Sequence, residues 1–125
     1  MARSAKLLLL TIVATFGVLR LSLMLSPNSD LNVAGYNVHH LFTGVLVMFA
    51  GGVWRMLGSQ AWLPLVVFGV GSGLALDEVV YLIATDGSNA SYLTRVSWVG
   101  GVITIGVALV YVAVVDRVIR RRSRA

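Results

Sequence analysis

"AWLPLVVFGVGSGLALDEVVYLIA" (61–84) decides how this chain folds. Asp77 and Glu78 are its only charged residues. A helix needs about 20 residues to cross about 30 Å of hydrocarbon, and this run is long enough. A backbone in lipid must satisfy its own polar groups, so the run reads as a membrane-spanning helix. Pro64 falls in the first turn, where a missing N–H costs little. The two acids sit near the far end. A carboxylate in a span is costly, and by default it faces the bundle interior and has a partner. The search for that partner organises the rest of the chain.

Three further apolar runs surround this one: Leu7–Leu25, about Val38–Leu57 and about Val96–Val115. The chain has 125 residues, of which 58% are hydrophobic and 12% charged. Its mean hydropathy is +0.87. Soluble domains carry about 25% charged residues, so this balance indicates a membrane protein. The fold class expected is all-α: one domain over 1–125, a polytopic membrane four-helix bundle with short connections and antiparallel neighbours. Arg3 and Lys6 before the first run resemble the basic flank of a signal peptide. The run is long for one, Arg20 interrupts it, and no small-residue cleavage site follows, so a retained span is expected.

The connections alternate in charge. Arg3 and Lys6 precede the first span, Asp30 lies in the first loop, Arg55 in the second and Asp86 in the third, which ends in Arg95. The tail over 117–125 carries Arg117, Arg120, Arg121, Arg122 and Arg124. The positive-inside rule then puts both termini in the cytoplasm, and the expected location is the plasma (inner) membrane. The tail suits anionic lipids of the inner leaflet, so the net charge of +5 does not point to nucleic acid. Trp54 and Trp62 fit the inner interface, and Tyr36, Tyr92 and Trp98 the outer one. The absence of cysteine excludes thiol–disulfide exchange and thiolate metal sites.

Small residues are expected to line the seams, because close approach drives packing in lipid. Gly69 and Gly73 form a G-x-x-x-G, with Gly71 between them. Gly44 and Gly51 share the stripe of His40, and Ser97, Gly101, Thr104 and Ala108 form another. A homo-oligomer seam is the alternative use of these glycines.

Placed by depth, the polar groups converge on one side. Asp77 and Glu78 lie about 10 Å below the outer end of their span. His39 and His40, the only histidines, open the second span. Arg20 lies about two turns inside the first. Tyr81 is one turn beyond Asp77, and Arg95 and Ser97 open the fourth span. Adjacent residues on a helix point about 100° apart, so Asp77 and Glu78 face different seams.

Three readings fit. Arg20 and Arg95 neutralise the acids in structural ion pairs. Or His39, His40, Asp77 and Glu78 hold a divalent metal, with ligands suited to zinc, iron or manganese. Or the cluster is a proton or ion relay. The metal reading makes the protein a metal-dependent membrane enzyme at the outer leaflet, with Asp77 or Glu78 as catalytic base. Arg20, Tyr81, Tyr92 and Arg95 then support the site, the arginines binding an anionic headgroup. Otherwise the protein is a proton, ion or metal transport subunit, or a non-catalytic partner-binding scaffold. A transport path lacks titratable groups in the inner half before Arg55 and Asp116. Haem is not expected, since both histidines lie on one helix. No H-E-x-x-H, no E-x-x-H pair and no nucleophile elbow is present.

"HHLFTG" (39–44), "GVGSGLALDE" (69–78) and "SYLTRVS" (91–97) together resemble an uncharacterised group of small four-span bacterial integral membrane proteins. The resemblance covers His39 to Ser97. It implies that His39, His40, Asp77, Glu78, Tyr92 and Arg95 belong to one shared site, and it supplies no activity or substrate.

Overall fold

The computed structural model describes residues 1–26, 32–33 and 36–123. Asp30, Arg124 and the side chain of Tyr36, which entered the charge and interface readings, lie outside the described residues. The fold is all-helical: α1 (Arg3–Leu25), α2 (His40–Met56), α3 (Leu63–Ala84), the single turn α4 (Asn89–Tyr92) and α5 (Arg95–Arg122). A two-residue antiparallel ladder pairs Asn32–Val33 with Tyr36–Asn37 ahead of α2.

The helix ends follow from local chemistry. His39 is extended at the start of α2 (φ −61, ψ 139). Gly58, at φ +95, supplies the left-handed residue that turns the chain after α2. Arg55 closes that turn by donating to the Ser59 carbonyl. Pro64 stands in the first turn of α3. Between α3 and α4, Asp86 accepts from the Ser88 N–H (3.1 Å), and Ser88 caps α4. Hydrogen bonds from Ser91 and Ser88 hold the exposed Asp86 carboxyl down to about 2.

Three boundaries differ from the sequence reading, the first being the start of α1 at Arg3 instead of Leu7. The second run folds as a helix of 17 residues, at the short limit of a spanning helix, and among the described residues α1, α3 and α5 are the longer helices apolar enough to cross a membrane. The fourth run continues beyond Val115 to Arg122 as one 28-residue helix. Arginine is a good helix former and no glycine or proline interrupts 107–122, so the basic residues ride on helical turns.

Helix α3 is the hub, packing against α1, α2 and α5. Its small residues divide by angle. Gly69 and Gly73 face Thr11 and Thr15 of α1. Gly71 faces α2, where its place beside Met48 and Gly44 leaves no room for a Cβ. Gly44 in turn abuts the backbone of Ala75 and Gly71. This approach of two backbones is what small residues permit in helix packing without a hydrophobic driving force.

The side chains are arranged polar-inside. Arg20, Asp77, Glu78 and Ser97 are almost fully buried, whereas Leu10, Leu46, Phe49, Ile83 and Val107 are exposed. Soluble proteins bury charged groups rarely and do not present so continuous an apolar surface.

Candidate functional site

Each polar residue arrives on a different element, and α3 joins them. Asp77 lies on the α1-facing stripe of Gly69 and Gly73, and meets Arg20 there. Arg20 Nε donates to Asp77 Oδ1 at 2.6 Å. The other guanidinium N–H groups are all placed too. Nη1 donates to the Tyr92 carbonyl (3.1 Å) and Ser97 Oγ (3.0 Å). Nη2 donates to the carbonyls of Asp77 (3.3 Å) and Ser97 (3.1 Å). A guanidinium has five N–H donors, and these five bonds use them all. The rings of Tyr92, Trp98 and Phe16 surround it, with centroids at 4.3, 5.0 and 5.4 Å from Cζ. Arg20 thereby ties α1 to α3, α4 and α5.

Tyr92 completes this half by donating its hydroxyl to Asp77 Oδ2. Burial, then the Asp77 charge, pushes the phenol far above its ordinary range, so it remains a donor. Tyr92 and Trp98, expected at the outer interface, are packed around Arg20. Each carboxylate oxygen of Asp77 thus has a donor.

Glu78 lies on the stripe of Gly71 and faces α2. Its Oε2 accepts the Leu41 N–H at 2.7 Å. That N–H is in the first turn of α2, where donors have no intrahelical partner. Glu78 thus caps α2 from a neighbouring helix, with its charge at the positive end of the helix dipole. Its other oxygen, Oε1, lies 3.4 Å from His39 Nδ1 and 3.3 Å from His40 Nε2. His40 Nε2 is also 3.7 Å from Asp77 Oδ2, but it has no partner in hydrogen-bond geometry. The imidazoles pack edge-on against tyrosines, His39 on Tyr81 at 5.9 Å and His40 on Tyr92 at 5.8 Å. Tyr81 donates its hydroxyl to the Ser88 carbonyl at 3.1 Å.

No known protein family matches this chain. No curated protein and no solved structure matches it either.

The structure brings together His39, His40, Asp77, Glu78, Arg20, Tyr81 and Tyr92. It does not bring Arg95 to them. Arg95 is exposed at the start of α5 and, among the described residues, makes no ion pair. Ser97, two residues on, is the α5 residue that reaches the cluster, accepting from Arg20. A residue at a helix start can turn to the surface, whereas Ser97 shares the seam stripe with Gly101 and reaches Arg20. Among the described residues, no group of three His, Asp or Glu side chains is arranged to hold a metal ion. The expected four-ligand set is therefore divided: Asp77 is engaged by Arg20 and Tyr92, and Glu78 by Leu41. The sequence reading also missed the Leu41 N–H, which carries no side-chain signal. It missed Asp116 as well, whose Oδ1 accepts the Ala2 N–H at 3.1 Å and whose Oδ2 pairs with Arg120 at 3.0 Å.

Proposed function

We propose that this chain is a multi-pass inner-membrane protein, with both termini cytoplasmic, that holds a small cation at an outward-facing site formed by Glu78, His39 and His40. The observation that carries this reading is the convergence of both imidazoles on one oxygen of a buried carboxylate, Glu78 Oε1, at 3.3 and 3.4 Å. The cluster sets two buried carboxyl groups against one guanidinium, and that guanidinium is paired with Asp77, so Glu78 has no arginine of its own. A buried uncompensated charge is strongly disfavoured, so a cation is attracted there. The Leu41 N–H and the dipole of α2 offset only part of it.

The cation is a proton shared among Glu78 and the imidazoles, or a divalent metal that would draw these three nitrogen and oxygen donors together, since they are not arranged as a metal site as they stand. The metal arm is supported by His40 Nε2, a buried nitrogen left without a hydrogen bond. In either arm Asp77 positions Arg20 and Tyr92 rather than reacting, since both its oxygens are engaged. The side chains of His39 and His40 are 16% and 26% exposed, whereas Asp77 and Glu78 are nearly sealed. The site therefore has one open side. The loop charges support assigning that side to the outside: the basic residues Arg3, Lys6, Arg55, Arg117, Arg120, Arg121 and Arg122 lie at the opposite ends of the helices, against Arg95 at the end that carries the site. A site open on one side supports binding, or chemistry at the outer leaflet, over conduction.

Titration calorimetry on metal-stripped protein in lipid nanodiscs, with zinc and with manganese, tests this reading. Uptake of one ion per chain, lost in Glu78→Gln, identifies a metal. No uptake, with Glu78→Gln as stable as wild type and Glu78→Ala destabilised, identifies a proton, because glutamine mimics the protonated acid. No uptake together with equal destabilisation by both substitutions sinks the cation site and leaves Glu78 a structural cap.

A further inference from the structure

We infer that the inner half of the bundle binds one anionic phospholipid, with an acyl chain in the groove between α1 and α5 and its phosphate against Arg3, Arg117 and Arg120. The inference rests on the membrane-spanning reading above and concerns a different part of the molecule from the Glu78 site.

Helices α1 and α5 touch at two levels and part between them. Near one end Arg20 bonds Ser97, and Phe16 lies against Gly101. At the other the Ala2 N–H bonds Asp116. Between these levels lies a cavity of about 430 Å³, within the range of ligand sites. Leu65, Phe68 and Leu76 of α3 form its floor, and Leu8 and Ala108 stand on its walls. Ser72 reaches it, but its hydroxyl is spent on the Phe68 carbonyl at 2.8 Å. The groove thus offers an occupant almost nothing but apolar contact. Seated in a membrane, it faces hydrocarbon.

Its length and its charge select the occupant. The α5 wall runs from Ala108 to Ile119, about 16 Å at 1.5 Å per residue. That is about half of a 30 Å hydrocarbon core, the depth of one leaflet. The Asp116 end of the groove is polar. Arg3 follows Ala2 directly, and Arg117 and Arg120 lie within one turn of Asp116; all three are exposed. Among the described residues Asp116 is the acid at that end, and it is already held by Ala2 and Arg120. The mouth is therefore net positive, and a phosphate without a balancing ammonium fits it better than a zwitterionic headgroup. Arginine is suited to phosphate by its planar pair of donors.

Native mass spectrometry of delipidated protein, offered equimolar phosphatidylglycerol and phosphatidylcholine, tests the inference. The expected result is one retained phosphatidylglycerol per chain, preferred at least tenfold. Ala108→Trp fills the groove and should reduce retention at least tenfold; Val112→Trp, on the same wall, serves if that variant fails to fold. Arg117→Gln with Arg120→Gln should abolish the preference between headgroups. Equal retention of the two lipids, retention unchanged by the filling variants, or a dimer that those variants dissociate would each overturn it. Alkaline carbonate extraction separates this failure from that of the membrane reading. Wild-type protein that stays in the membrane but retains no lipid defeats the lipid site alone; protein that is extracted defeats the membrane reading itself.

Discussion

Arg20→Ala should destabilise the folded protein by about 3–5 kcal/mol, the usual consequence of removing one partner of a buried ion pair. The substitution leaves Asp77 Oδ1 unpaired at a fully buried position. It also removes the donors to three carbonyls and to the Ser97 hydroxyl, and empties an aromatic box of three rings. Because the orphaned charge is the largest part of the loss, Asp77→Asn in the same chain should restore part of it. The double-mutant coupling should fall in the range of about 0.5–3 kcal/mol. Reversible unfolding in bicelles measures both. A loss below about 1 kcal/mol would show that the five-bonded guanidinium does not organise the bundle.

Gly71→Ala should also be strongly destabilising, although helix propensity alone favours alanine by about 1 kcal/mol. A Cβ at Gly71 would meet the Gly44 carbonyl oxygen at 2.6 Å and Met48 Cα at 2.7 Å. These are backbone atoms and cannot rotate away, so α2 and α3 must separate. Overpacking of this kind costs about 1–3 kcal/mol, occasionally more, and here the displaced seam also carries the Glu78–Leu41 contact. Gly106 is the control: a Cβ there meets nothing within 4 Å, so Gly106→Ala should be neutral or slightly stabilising. Equal effects of the two substitutions, read by the same unfolding measurement, would contradict the close-packed seam.

Much of this was legible in the sequence, for identifiable reasons. Asp77 and Glu78 are too costly in a span to lie without partners, and Arg20 at similar depth was the natural one. Their 100° separation anticipated two seams, and each acid faces a glycine stripe on its own side of α3. The misses have equally definite causes. Arg95 and Ser97 both open α5, and only packing decides which turns inward. The capping of α2 by Glu78 depends on a backbone N–H, which looks the same at every residue. Asp116 reads as a flank residue because the apolar run ends just before it, yet the helix continues and carries it onto the start of α1. The four ligand-type side chains are divided for a geometric reason: Asp77 is taken by an arginine and a tyrosine, and one oxygen of Glu78 by a helix end.

The His–Glu cluster is expected to open to the outside. The chain has no cysteine, so a single His40→Cys substitution reports without background. A membrane-impermeant thiol reagent should modify it in right-side-out vesicles and spare it in inverted ones, while Ser123→Cys at the end of α5 shows the reverse pattern. Modification of His40→Cys in inverted vesicles alone, or both positions reacting from the same side, would contradict the account.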